Sequence, residues 1–157
     1  MVYGAIDEKN NKYYTFLKEI FFAIKDKQLD YNWLITNADI IANSEELNAF
    51  NTGDYCFLSG EKLTSIVSQD DSQWIWGVLS GFDKSIPLEE ILKYPFPYAD
   101  GYPGFWKNPL SIQHPLATVE IVPFDSSLVL VFSKSKEIVD NFKDAFPESQ
   151  DLSEYNS

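Results

Sequence analysis

Apolar residues at Tyr13, Phe16, Leu17, Ile20, Phe21 and Ile24 recur at three- and four-residue steps. This stripe predicts the buried face of an amphipathic helix. Lys18, Glu19, Lys25 and Asp26 fill its other side and belong in water. The compact run Tyr31 to Ile35 then reads as a buried strand, because Trp33, Leu34 and Ile35 do not alternate with polar residues. Between Asn37 and Phe50 the pattern fits either a short helix or an irregular loop, with Ser44 ahead of Glu45 and Glu46 suggesting a capped turn. Thr52-Gly53-Asp54 marks a turn. After it come a short strand at Tyr55 to Leu58 and a helix capped by Ser59 that runs to about residue 67.

The polar break at 69–72 precedes Gln73 to Phe82, where both alternating faces are apolar, as in a central strand covered on both sides. Gly77 and Gly81 weaken such a strand unless something packs close to its backbone. A brief helix is expected over Pro87 to Lys93, with Glu89 and Glu90 early and Lys93 late. Five prolines, at 95, 97, 103, 109 and 115, exclude a regular helix or central strand from Tyr94 to Pro115 and leave a long loop. Thr118 to Phe124 and Leu128 to Phe132 form a hairpin around Asp125-Ser126-Ser127. A last helix starts at Ser135, buries Ile138, Val139, Phe142, Ala145 and Phe146, and stops at Pro147.

This order of elements predicts an α+β fold, a mostly antiparallel sheet of about four to six strands with helices packed on it. The expected boundaries are one domain over 1–147 and an acidic, frayed tail over 148–157. The composition supports a packed chain, since 45% of it is hydrophobic and 16% aromatic. Asp7 and Glu8 stand where an export signal needs basic and then apolar residues. The longest apolar runs are too short for a bilayer span, and a single Cys has no disulfide partner within the chain. The expected compartment is the cytoplasm.

Charge narrows the function further. Twenty-four Asp and Glu against 12 Lys and Arg give a net charge of -12, which phosphate would repel. Direct nucleic-acid binding is therefore disfavoured, whereas a basic protein is attracted. Cys56 and His114 are the chain's whole supply of thiol and imidazole. Cys56 lies in an apolar strand context, where a thiol usually serves as a small buried hydrophobe. No nucleophile elbow, P-loop or dinucleotide fingerprint is present. The pairs Glu45-Glu46, Asp70-Asp71 and Glu89-Glu90 are adjacent and point apart on a regular element, without calcium-loop spacing. No catalytic residue, metal or cofactor is expected.

The least ordinary stretch is Tyr94 to Trp106, where six aromatics and three prolines share thirteen residues. Such a segment either forms a preorganised contact surface or folds back to plug the core edge. The contact reading assigns partner binding to Tyr98, Asp100, Tyr102, Phe105 and Trp106, with Asp70 and Asp71 adding charge. Trp74 and Trp76, alternating in one strand, are expected in the core.

The segment Asp30-Tyr-Asn-Trp-Leu-Ile behind an amphipathic helix, with Glu120-Ile-Val-Pro-Phe-Asp-Ser-Ser and the later Ser133-Lys-Ser-Lys-Glu, resembles small uncharacterised proteins of low-GC Gram-positive bacteria. By type, a small acidic aromatic-rich chain of this kind is similar to bacterial toxin immunity proteins. That resemblance implies a non-catalytic inhibitor of a basic protein, such as a nuclease-type toxin, with no nucleic acid or membrane partner. The alternative is a small-molecule binding or regulatory domain whose pocket is lined by the Pro/aromatic loop and the Trp-rich strand.

Overall fold

The computed structural model describes residues 1–8 and 15–157. Tyr13, expected in the first helix, lies outside the described residues. The elements, in chain order, begin with β1 (Tyr3–Asp7), α1 (Leu17–Ala23), β2 (Tyr31–Ile40), α2 (Glu45–Asn48), β3 (Tyr55–Ser59) and α3 (Gly60–Gln69). They continue with β4 (Trp74–Asp83), α4 (Leu88–Ile91), β5 (Val119–Phe124), β6 (Leu128–Ser133), α5 (Lys136–Ala145), β7 (Gln150–Asp151) and α6 (Leu152–Asn156).

All seven strands form one antiparallel sheet in the order β3-β2-β4-β5-β6-β1-β7. The α+β class is as expected, but the strand count exceeds the expected four to six. The excess comes from the two ends of the chain. β1 pairs with β6, Ala5 opposite Val131, and β7 pairs with β1, Ala5 opposite Asp151. The last residues are therefore not a frayed tail. Leu152 is fully buried and the Asn156 side chain donates to the Phe105 carbonyl at 3.0 Å. Two anchors, one apolar and one polar, outweigh the acidic composition of this stretch.

The sheet's two faces are covered by different material. On one face α1, α3 and α5 bury Leu17, Phe21, Leu63, Val67, Val139 and Phe142 against Trp33, Ile35, Leu79, Ile121 and Val131. On the other face lie residues 84–117, whose Ile91, Ala99, Phe105, Leu110 and Ala117 pack with Leu152 of α6 on Leu34, Val78, Phe82, Val122 and Phe132. Apolar burial on both faces explains why β4 reads as apolar on both sides.

Two local expectations are met with their chemistry visible. Ser44 accepts the Leu47 N–H at 3.1 Å and Ser59 accepts the Lys62 N–H at 3.1 Å, capping α2 and α3. Gly81 sits where a Cβ would lie 2.4 Å from Val119 Cγ1 and 3.1 Å from the Trp33 ring. The close approach that its presence in a strand suggests is a tryptophan packed over bare backbone.

Trp74 and Trp76 do not share a face. The β2–β4 register shifts between Thr36 and Asp39 and again between Asp39 and Ile40, opposite these residues. Trp74 consequently packs in the helical layer and Trp76 in the loop layer, its ring 4.7 Å from Phe124.

Candidate protein-contact surface

The Pro/aromatic segment is both a plug and a display. From Phe96 to Asp100 its side chains alternate, with Pro97 and Ala99 buried and Phe96, Tyr98 and Asp100 exposed. Buried Thr36 of β2 donates to the Pro97 carbonyl at 2.8 Å. Gln113 grips the next residue twice: its amide oxygen accepts the Tyr98 N–H at 3.0 Å and its amide nitrogen donates to the Tyr98 carbonyl at 2.9 Å. Glu120 of β5 in turn accepts the Gln113 backbone N–H at 3.1 Å. The display therefore hangs from the middle of the sheet by consecutive hydrogen bonds.

The turn at its end completes the arrangement. Tyr102 N–H donates to the Ala99 carbonyl at 3.2 Å across Gly101, whose φ of +85° is one that L side chains rarely adopt. Tyr102 is thereby folded back under Tyr98, with ring centroids 5.3 Å apart, and onto Phe105 at 4.7 Å. Phe105 stacks on Phe132 of β6 at 5.7 Å. An aromatic column thus runs from solvent to core.

At the surface, Tyr94, Phe96 and Tyr98 are 36%, 40% and 43% exposed, and Tyr55 of β3 is 37% exposed with its ring 5.4 Å from Phe96. The row therefore continues from the loop onto the sheet's edge strand. Aromatics held in place on a fixed backbone lose little entropy on contact and are favoured anchors of interfaces. Residues 28–61 and 94–106 carry Asp30, Asp39, Glu45, Glu46, Asp54, Glu61 and Asp100 and no Lys or Arg. Glu46 and Glu61 are paired with Lys62 at 3.4 Å and Lys84 at 2.6 Å, and Asp54, next to Tyr55, and Asp100, two residues from Tyr98, are exposed carboxylates beside the row.

The residues expected to bind a partner are divided by the fold. Asp100 and Tyr98 are exposed on the display, and Tyr102 and Trp106 are half-buried behind it. Phe105 is 0% exposed and so cannot touch a partner; it is the plug. Asp70 is likewise withdrawn, at 8% exposure. Its carboxylate accepts the Asn43 and Ser44 N–H groups at 2.9 and 2.7 Å and the Ser72 hydroxyl. Burial alone would raise its pKa, but the hydrogen bonds from Ser72, Ser44 and Asn43 outweigh that and hold it at about 2. Asp70 is a strut for the entry to α2. Asp71 is exposed, but it accepts the Lys18 N–H of α1 at 3.2 Å, on the helical face and away from the aromatic row. Its pKa is raised, by burial first.

Cys56 and His114 are not a catalytic pair. Cys56 packs with the helical layer, whereas His114 lies under the loop layer against Phe82 and Tyr94, at 4.8 and 5.0 Å. His114 Nδ1 accepts the Leu116 N–H at 3.1 Å, so Nε2 carries the proton and donates to the Ile91 carbonyl at 2.9 Å. Both ring nitrogens are used, and burial pushes the pKa down while the Ile91 contact opposes it. Burial also pushes the Cys56 thiol up, away from a reactive thiolate. Among the described residues, no group of three or more His, Cys, Asp or Glu side chains is placed to hold a metal ion. No helix among them is long and apolar enough to cross a membrane.

Several members of this surface escape a reading by composition. Tyr55 lies in an apolar strand and reads as core. Thr36 and Gln113 are ordinary polar residues, and only their pairing across the sheet gives them a role. Glu120 was legible in part, as a carboxylate inside an apolar strand run. A scan against protein-family models, a search of curated proteins and a search of solved structures each returned no match.

Proposed function

We propose that this is a non-catalytic binding protein that neutralises a basic protein partner by stoichiometric occlusion, in the manner of toxin immunity proteins. The observation that carries the reading is the row Tyr94, Phe96, Tyr98 and Tyr55, exposed yet anchored through Thr36 and Gln113, with exposed Asp54 and Asp100 beside it in a chain of net charge -12. A flexible aromatic loop would have to be ordered on binding; this one is ordered beforehand. The anionic field draws a cationic partner in, and the aromatics supply contact area once it arrives. A nuclease-type toxin fits as the partner because such an enzyme must itself be basic to hold nucleic acid. The reading assigns the protein to the cytoplasm, where Cys56 has no need of a disulfide partner.

A pocket beneath the loop is the weaker reading, because Ala99, Phe105 and Leu110 fill the loop's underside with their own side chains. The test compares capture by the wild-type protein and by Phe96→Ala and Tyr98→Ala variants, from cells that produce it, at moderate salt. A basic protein is expected on the wild type, bound at least about tenfold more weakly by either variant, whose stability should stay within about 1 kcal/mol of wild type. Capture of no basic protein, or equal capture by all three, overturns the reading.

A further inference from the structure

The two edges of the sheet are treated differently. β7 spans two residues and turns at once into α6, which leaves almost no strand edge to pair with. β3 spans five residues, Tyr-Cys-Phe-Leu-Ser, paired to β2 without a bulge from Tyr55 opposite Thr36 to Ser59 opposite Asn32. An edge strand of this length presents outward N–H and C=O groups, and soluble proteins usually guard such edges with Lys, Pro, a bulge or a covering segment. Residues 55–59 contain no Lys and no Pro. None of the turn and loop backbone hydrogen bonds among the described residues involves them. One edge is closed by construction and the other is open.

The side chains along the open edge define what fits there. Tyr55 meets Phe96 and Phe57 packs on the loop-side core, while Cys56 and Leu58 pack on the helical side. An added strand would lay every second residue beside Tyr55, Phe57 and Phe96. Asp54 precedes the strand and is exposed, and at the other end Lys62 and Glu61 are paired with Glu46 and Lys84. A second copy of this chain carries the same net charge of -12 and would be repelled.

We propose that β3 receives an extended, basic segment of the partner as an eighth strand, apolar residues alternating with Lys or Arg, an inference that rests on the protein-binding reading above. Backbone hydrogen bonds along β3 would hold the segment, the aromatic row would take its apolar side chains, and the surrounding carboxylates would select its charge.

The experiment uses the full chain, labelled with nitrogen-15, and a capped heptapeptide of alternating Val and Lys as the probe. The expected result is slowing of amide exchange by about tenfold or more within residues 55–59 at saturating peptide. Two control peptides should lack the effect: the Val/Glu counterpart, and the Val/Lys peptide N-methylated along one edge. Tyr55→Lys, which places a guarding cation on the edge, should weaken the probe by about tenfold with the fold intact by circular dichroism. Absence of binding overturns the inference. Binding that tolerates N-methylation and leaves residues 55–59 unprotected also overturns it, while leaving the broader protein-binding reading standing. Protection that appears with protein concentration and no peptide assigns the edge to a second copy and overturns the basic-segment assignment.

Discussion

Glu120 stands directly opposite Ser80 in the β4–β5 ladder and opposite Phe132 in the β5–β6 ladder, in the middle of the sheet and fully buried. One carboxyl oxygen accepts the Gln113 N–H; the other has no partner among the described residues, and neither has the Ser80 hydroxyl. Burial pushes the Glu120 pKa from an ordinary 4.5 to about 8, against the opposing pull of the Gln113 hydrogen bond. At neutral pH the folded protein therefore keeps a proton that the unfolded chain has released. The Glu120 contribution to stability should fall as pH rises from about 4.5 to about 8, by up to about 1.4 kcal/mol per pH unit, and level off above both values, while the lowered His114 pKa acts in the opposite sense below 6.5. Glu120→Gln keeps an acceptor for the Gln113 N–H and removes the titration. Denaturant melts across this range should show a flatter profile for the variant and a stability gain over wild type near pH 8; parallel profiles would contradict the assignment. A sequence shows a carboxylate at 120 but not that Gln113 will approach it from the loop. Asp70 read as a partner-binding charge beside Asp71, and the two N–H groups ahead of α2 that capture it come from residues 26 and 27 positions away.

At the scale of elements, β4 joins both layers, and its glycines set how closely they approach. Gly81→Ala would drive a methyl into Val119 and the Trp33 ring, whose indole N–H is fixed to the Gln28 carbonyl at 2.9 Å and cannot swing away freely. A loss of about 1–3 kcal/mol is expected by chemical denaturation, and an unchanged midpoint would show that the layers adjust. The strands with strong apolar runs, β2 through β6, were legible because burial on one or both faces writes itself into the pattern. β1 was not, because Tyr-Gly-Ala-Ile-Asp is short and contains a glycine and a charge. β7 and α6 escaped for a related reason: the signal of eight polar residues in 148–157 outvotes Leu152, yet Leu152 is the residue that docks. On sequence grounds the aromatic loop lay between contact surface and plug, and its side chains alternate between buried and exposed. Proline spacing showed rigidity; it could not show that Thr36 and Gln113 decide which rings face out.

For the whole molecule, α1, α3 and α5 occupy one face of the sheet and the pinned loop, with α4 and α6, the other, so the aromatic row lies on the side opposite α1, α3 and α5. Asp71 lies on the helical side, away from that row, so the proposed interface comprises the row with Asp54 and Asp100. The surface ion pairs, such as Lys84 with Glu61 at 2.6 Å and Lys136 with Asp140 at 2.7 Å, are exposed and contribute little to stability. Removing every Lys would still leave 24 carboxyl groups, so the field that draws a cation is set by acidic excess. The most direct test of an electrostatically guided, aromatic-anchored contact is the association rate with the captured basic partner as ionic strength rises from about 0.05 to about 0.5 M. A fall of about tenfold or more in the on-rate, with the off-rate nearly constant, is the predicted result; an on-rate that stays flat across that range would contradict the account.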